Sequence, residues 1–262
     1  MKTIEIVSHC QAVQNPWYAS LLNYQLSSLF LYPSKNCKIL VTICCNREDV
    51  RTNRVLNFYK PKLDLNIIYQ PFPELGRRSI GRDLVARRTE ADIVWFTDVD
   101  FLFRDSCLQT LVEHPWSGCV EGLPHKDSPA IVYPSVIQAQ RLEQGLKLSP
   151  DKLLIGLVDI DEKEFEPLEF DRPTGALQII KGPLVREWGY CRDNHHELPE
   201  DGSFDRCLGD PTFRRMYRNK GHWKPIDLQG VYRLRHPLRE GHRLKKIEEK
   251  RLRRQKLREN NG

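Results

Sequence analysis

Short apolar runs alternate with stretches of helical spacing through the first part of the chain, which points to α/β layering. Residues 4–7 predict a strand. Asn15-Pro16 predicts a helix start, with Asn as the cap and Pro in the first turn. Trp17, Leu21 and Tyr24 then recur at helical spacing, with Leu22, Leu26 and Leu29 beside them. Strands are expected at 38–44, 65–69 and 93–97, and helices at 48–59 and 79–90, the last with Ile80, Leu84 and Val85 inward. The second half is less regular. Residues 135–145 read as helical and 159–169 as an acidic exposed loop. A strand at 174–180, helices at 183–188 and 200–208, and a final strand at 231–234 complete the pattern. No internal repeat is visible.

Charge divides the chain. Residues 239–262 carry ten Lys/Arg against four Glu, so with 41 basic and 35 acidic residues in all, residues 1–238 balance at 31 against 31. A nucleic-acid-binding domain usually carries its basic excess on the folded body, so no specific nucleic acid is expected as a partner. The expectation is one α/β domain over 1–238 with a basic tail, helical or disordered, over 239–262. In the tail, Leu244, Ile247, Leu252 and Leu257 do not align on one helical face, which favours a solvated segment. The alternative is weak contact of 243–258 with anionic lipid headgroups.

No apolar run approaches the ~20 residues of a membrane span. Glu5 interrupts the first apolar segment where a signal peptide would be uniformly apolar. The expected location is therefore cytoplasmic, with the inner membrane face as the alternative if the tail binds lipid. None of the eight cysteines forms a C-x-x-C pair, and several sit in apolar stretches such as Ile43-Cys44-Cys45, so they read as buried thiols.

The sharpest chemical feature is Thr97-Asp98-Val99-Asp100, where two carboxylates follow a buried strand. Ligands of open α/β sheets bind outside the carboxyl ends of the strands. Carboxylates one residue apart can share a face and suit a hard divalent cation that also binds a diphosphate. Glu200-Asp201 opens a predicted helix, where it could take a hydroxyl proton or simply favour the helix dipole. His236 just after the last strand could ligate a metal or pack. Trp116, Trp188 and Trp223 read as core residues, with sugar stacking as the alternative.

Five segments in order carry a resemblance: Arg78-Ser79-Ile80-Gly81-Arg82, Phe96-Thr97-Asp98-Val99-Asp100-Phe101, Thr174-Gly175-Ala176-Leu177-Gln178, Glu200-Asp201 with Phe204 and Arg206, and Arg235-His236. Together they resemble the glycosyltransferases of the GT-A fold, close to family 2, with a C-terminal half similar to the β1,4-galactosyltransferase pattern. The resemblance implies a Rossmann-like mixed sheet flanked by helices. It implies an inverting transferase that moves a sugar from a nucleotide-sugar, a UDP-sugar, to a hydroxyl of a glycan or lipid-linked acceptor. It implies Mn²⁺ or Mg²⁺ bound by Asp100 and His236, with Asp98 facing the ribose or a metal-bound water. Asp201 would be the base, and Glu200 would hold the acceptor. Arg78 or Arg82 would touch the nucleotide or its phosphates, and Ser8 and Asp49 would lie by the uracil and ribose.

Two departures stand out. Arg233 occupies the position of a Met in that pattern, so the metal shell would need water or another ligand. The approach to the acidic pair, Asn194-His195-His196-Glu197-Leu198-Pro199, lacks the pattern's aromatic and glycine residues, so the sugar does not transfer by analogy. Two rival readings remain. A haloacid-dehalogenase-type phosphohydrolase also uses D-x-D after a strand, although there the motif lies near the N-terminus. A non-catalytic nucleic-acid binder would rely on the tail.

Overall fold

The computed structural model describes residues 1–13, 15–105, 107–114, 119–120, 123–124, 129–141, 152–190, 209–218 and 222–236. In the first part, β1 (Lys2–His9), α1 (Trp17–Leu31), β2 (Cys37–Cys45), α2 (Val50–Tyr59) and β3 (Asp64–Tyr69) alternate strand and helix. Then come α3 (Phe72–Gly76), α4 (Arg78–Arg88), β4 (Ile93–Phe96), β5 (Phe101–Phe103) and α5 (Cys107–Glu113). Short strands β6 (Cys119–Val120) and β7 (Leu123–Pro124) pair with each other. They precede β8 (Pro129–Pro134), β9 (Val136–Gln140), β10 (Phe165–Glu169) and β11 (Gln178–Lys181). Helices α6 (Gly182–Trp188) and α7 (Gly209–Arg218) and strands β12 (His222–Ile226) and β13 (Val231–Arg233) follow.

Seven strands form one mixed sheet in the order β12-β8-β11-β4-β1-β2-β3. Strands β4, β1, β2 and β3 run parallel, and β11 is antiparallel to both β4 and β8. The chain steps from β1 outward to β2 and β3, then returns to the other side of β1 as β4. That reversal leaves a crevice at the carboxyl ends of β1 and β4, where such sheets hold ligands. A second sheet, β10-β9-β13-β5, stands beside it and carries β13 against β5.

Alternation along the central strands divides the core. Ile4, Ile6, Ile93 and Trp95 face α1 and α2, while Val7, Val94 and Phe96 face α4, α6 and α7. Both faces of the central strands are covered, which is why they read as continuous apolar runs.

Several expectations need correction. Residues 136–140, expected to be helical, form β9, because Val136 and Ile137 extend the chain and pairing with β10 and β13 uses their backbone. The acidic stretch 159–169 contains a 3₁₀ turn at Glu162–Glu164 and then β10, anchored by Phe165, which packs edge-on against Tyr232 with ring centroids 5.2 Å apart. Residues 174–177 form a turn closed by Leu177 N–H on the Thr174 carbonyl at 3.0 Å, so the strand starts only at Gln178. Pro16 itself sits at the cap of α1, with no side-chain cap from Asn15. In α4 the buried positions are Ser79, Gly81, Arg82, Asp83, Val85 and Ala86, whereas Ile80 and Leu84 are only half-buried. The expected helix at 200–208, Trp116 and the tail lie outside the described residues. Among the described residues, no helix is long and apolar enough to cross a membrane.

Candidate active site

The two aspartates lie in the turn between β4 and β5 rather than on a strand. Phe101 N–H donates to the Asp98 carbonyl at 3.2 Å to close the turn. Gln25 Nε2, reaching up from α1, donates to the carbonyls of Asp98 at 2.9 Å and Phe101 at 3.1 Å. The turn residues follow no strand alternation, so the two carboxylates face different elements. Asp98 turns to α4 and Asp100 turns to β13.

Asp98 Oδ1 is paired with Arg78 and, at 3.3 Å, with Arg82 Nη2. The two arginines differ in exposure. The Arg82 side chain is 0% exposed and that of Arg78 is 38% exposed. Arg82 also donates to the Tyr190 hydroxyl at 2.8 Å and the Thr97 carbonyl at 3.1 Å. Its guanidinium therefore holds the end of β4 together and positions Asp98, while Arg78 faces the opening. Of the pair that the resemblance placed by the phosphates, Arg78 has the accessible charge.

Asp100 is 4% exposed, and its Oδ2 lies 3.3 Å from Arg233 Nε. The backbone fixes that meeting, because Arg233 pairs with Phe101 across β13 and β5, and Leu234 N–H donates to the Asp100 carbonyl at 2.8 Å. The Arg233 guanidinium also lies 5.5 Å from the Phe101 ring centre. His236 is buried, its ring edge-on to Tyr18 at 5.7 Å between centroids.

The donor set that the resemblance implies does not fit a divalent cation in this arrangement. One aspartate faces two guanidiniums and the other faces a third. Among the described residues, no three His, Cys, Asp or Glu side chains gather around a common point. A dication on Asp100 would share that carboxylate with the Arg233 guanidinium, a like charge.

At the end of β1, Ser8 and His9 are buried. Ser8 Oγ, both His9 ring nitrogens and both polar side-chain atoms of Gln70 have no protein hydrogen-bond partner among the described residues. These are orphaned polar groups at the mouth of the β1–β4 crevice, where buried polar atoms ordinarily find partners. Burial, and then the charges of Arg82 and Arg78, hold the His9 pKa well below its ordinary value against an opposing pull from Asp98. His9 is therefore a neutral imidazole at neutral pH. Gly81 makes this packing feasible, since a Cβ there would collide with His9 Nε2 and stand 2.6 Å from Gln70 Oε1.

Asp49 has a structural role in place. It caps α2, with Oδ1 accepting from Thr52 N–H at 3.1 Å and Oδ2 from the Thr52 hydroxyl and Ala12 N–H, each at 2.7 Å. Its carboxylate thus ties the start of α2 to the β1–α1 loop. Glu200 and Asp201 lie outside the described residues. Cys10, Cys37, Cys44, Cys45 and Cys107 are buried free thiols, and burial raises each pKa, that of Cys45 to about 12. The packed reading of Trp188 holds, as it is buried against Tyr217 at 5.2 Å. Trp223 is half-buried against the core. Gln25, Gln70 and Tyr190 were invisible in the sequence, because a lone Gln or Tyr there carries no spacing signal.

No family model matches the sequence, and neither does any curated protein. Solved structures do match in shape. Residues 1–349 of S. aureus TarS superpose with a TM-score of 0.52 at 15% identity over 89% of this chain and 60% of that one. The same protein in complex with UDP-GlcNAc gives 0.56 at 12% identity over 90% and 59%, and in complex with UDP 0.52 at 14% over 88% and 60%. This chain spans about 60% of the length of those structures. The likeness shows the fold: a mixed sheet flanked by helices, as in the GT-A glycosyltransferases. A phosphohydrolase with its D-x-D after the first strand does not match this topology, in which the motif follows β4.

Proposed function

We propose that this chain is a glycosyltransferase that binds a UDP-sugar in the crevice between the carboxyl ends of β1 and β4. It would transfer the sugar to a hydroxyl of a glycan or lipid-linked acceptor. The observation that carries this reading is the Arg78–Asp98 pair at that crevice, a partly exposed guanidinium held on a carboxylate at the sheet's switch point. The fold shared with S. aureus TarS, which has been crystallised with UDP-GlcNAc and with UDP, supports the donor class.

On this reading the Asp98 carboxylate accepts from ribose hydroxyls while Arg82 holds it in place. Arg78 meets the diphosphate and stabilises charge that develops on the leaving nucleotide. Ser8, His9 and Gln70 border the nucleoside. Asp201 takes the acceptor hydroxyl proton as that oxygen bonds to the anomeric carbon, and Glu200 orients the acceptor. The bond from the anomeric carbon to the phosphate oxygen breaks, UDP departs and the configuration inverts. A positioned base of this kind contributes ~10²–10⁴ in rate.

Calorimetric titration of the folded protein with UDP, GDP and CMP, repeated on Asp98→Ala, tests the reading. UDP should bind and the other two should not, and the variant should lose the UDP isotherm. Failure of every nucleotide to bind would remove the donor site.

A further inference from the structure

We infer that Arg233 occupies the place of a divalent cation in this site, so that the donor diphosphate is neutralised by guanidinium groups and binds without metal. The inference rests on the nucleotide-sugar reading and deepens it.

Three features of the structure converge. First, the cation already beside Asp100 is a side chain. Arg233 Nε stands 3.3 Å from Asp100 Oδ2, and the aspartate is only 4% exposed. Secondly, that placement is built into the backbone. The pairing of Arg233 with Phe101 and the 2.8 Å bond from Leu234 N–H to the Asp100 carbonyl fix both ends of the contact. Thirdly, the charged partners that the two aspartates have among the described residues are guanidiniums, Arg78 and Arg82 beside Asp98 and Arg233 beside Asp100.

Arginine suits the role chemically. Its charge does not titrate near neutral pH, and its planar fork can face a carboxylate on one edge and phosphate oxygens on another. Asp100 then serves as the group that orients Arg233. The Arg233 side chain is 17% exposed, against 4% for Asp100.

The experiment is UDP titration by calorimetry in EDTA and in Mn²⁺, on the wild type, Arg233→Met and Arg233→Lys. Circular dichroism melts confirm that each is folded. Wild-type affinity should agree within about twofold between the two buffers. Arg233→Met should bind about tenfold more weakly in EDTA, the loss expected for one charge-assisted contact. Arg233→Lys keeps the charge beside buried Asp100 and should recover most of that loss, so it serves if Arg233→Met does not fold. A wild type that binds UDP only in Mn²⁺, or an Arg233→Met that binds as well as wild type in EDTA, overturns the inference and leaves the donor reading standing. Absence of binding by any nucleotide in both buffers rejects the donor reading and the inference with it.

Discussion

Arg82 donates to the Tyr190 hydroxyl at 2.8 Å, and Tyr190 in turn donates to Gln178 Oε1 at 2.7 Å. This relay ties α4 to β11 beneath the Asp98 turn. Tyr190 also stacks on Phe213 with ring centroids 4.1 Å apart, so the relay is walled by aromatic rings. Arg82→Met should therefore destabilise the protein by about 3 kcal/mol, the low end for breaking a buried ion pair because the Asp98 side chain is 19% exposed. Tyr190→Phe should cost about 1 kcal/mol for its hydrogen bonds. Urea denaturation at constant m-value measures both. An Arg82→Met midpoint equal to wild type would show that the cluster does not hold the turn.

His9 gives a pH prediction. Its folded pKa lies well below the unfolded value of 6.5, chiefly because it is buried. Below pH 6.5 the unfolded chain therefore binds a proton that the folded chain refuses. Stability should fall as pH drops below that point and should owe nothing to His9 above it. The slope from one such group approaches ~1.4 kcal/mol per pH unit. Denaturation of wild type and His9→Gln across mildly acid to neutral pH isolates the contribution. Parallel curves for the two proteins would contradict it.

Asp49 separates a cap from a nucleoside contact. Its three accepted hydrogen bonds predict that Asp49→Ala lowers stability by about 2 kcal/mol, the upper range for a helix cap. Thermal melts measure that loss. A variant with an unchanged melting temperature but no UDP affinity would return Asp49 to the base-contact role implied by the resemblance.

For Asp201, the expected outcome is a split between binding and chemistry. Asp201→Asn should keep the calorimetric UDP isotherm and lower acceptor-dependent transfer by ~10²–10⁴. Turnover near wild type would remove Asp201 from the mechanism.

Much of this was legible in the chain itself. The central strands announce themselves because both sheet faces are covered, so Ile93-Val94-Trp95-Phe96 is apolar throughout. The helix expected at 48–59 forms as α2, although its cap, Asp49, was read only as a nucleoside contact. The D-x-D position at the end of a buried strand pointed to the crevice. Elements such as β9 and β10 were not legible, because each is stabilised by pairing with the other across a gap in sequence. A helical reading of 135–145 had only local spacing to weigh.

The sequence by itself determined the α/β layering, the place of the acidic motif and the balanced charge of the body, since these follow from local periodicity and from counting. Only the tertiary structure decided which cations the two aspartates meet. Arg82 and Asp98 are sixteen positions apart, on the helix and at the end of the strand that follows it. Arg233 and Asp100 are separated by 133 positions and meet because β13 pairs with β5. Hydrogen-bonded strand register, a long-range property, places that guanidinium within 3.3 Å of the carboxylate, and no local pattern of residues encodes it.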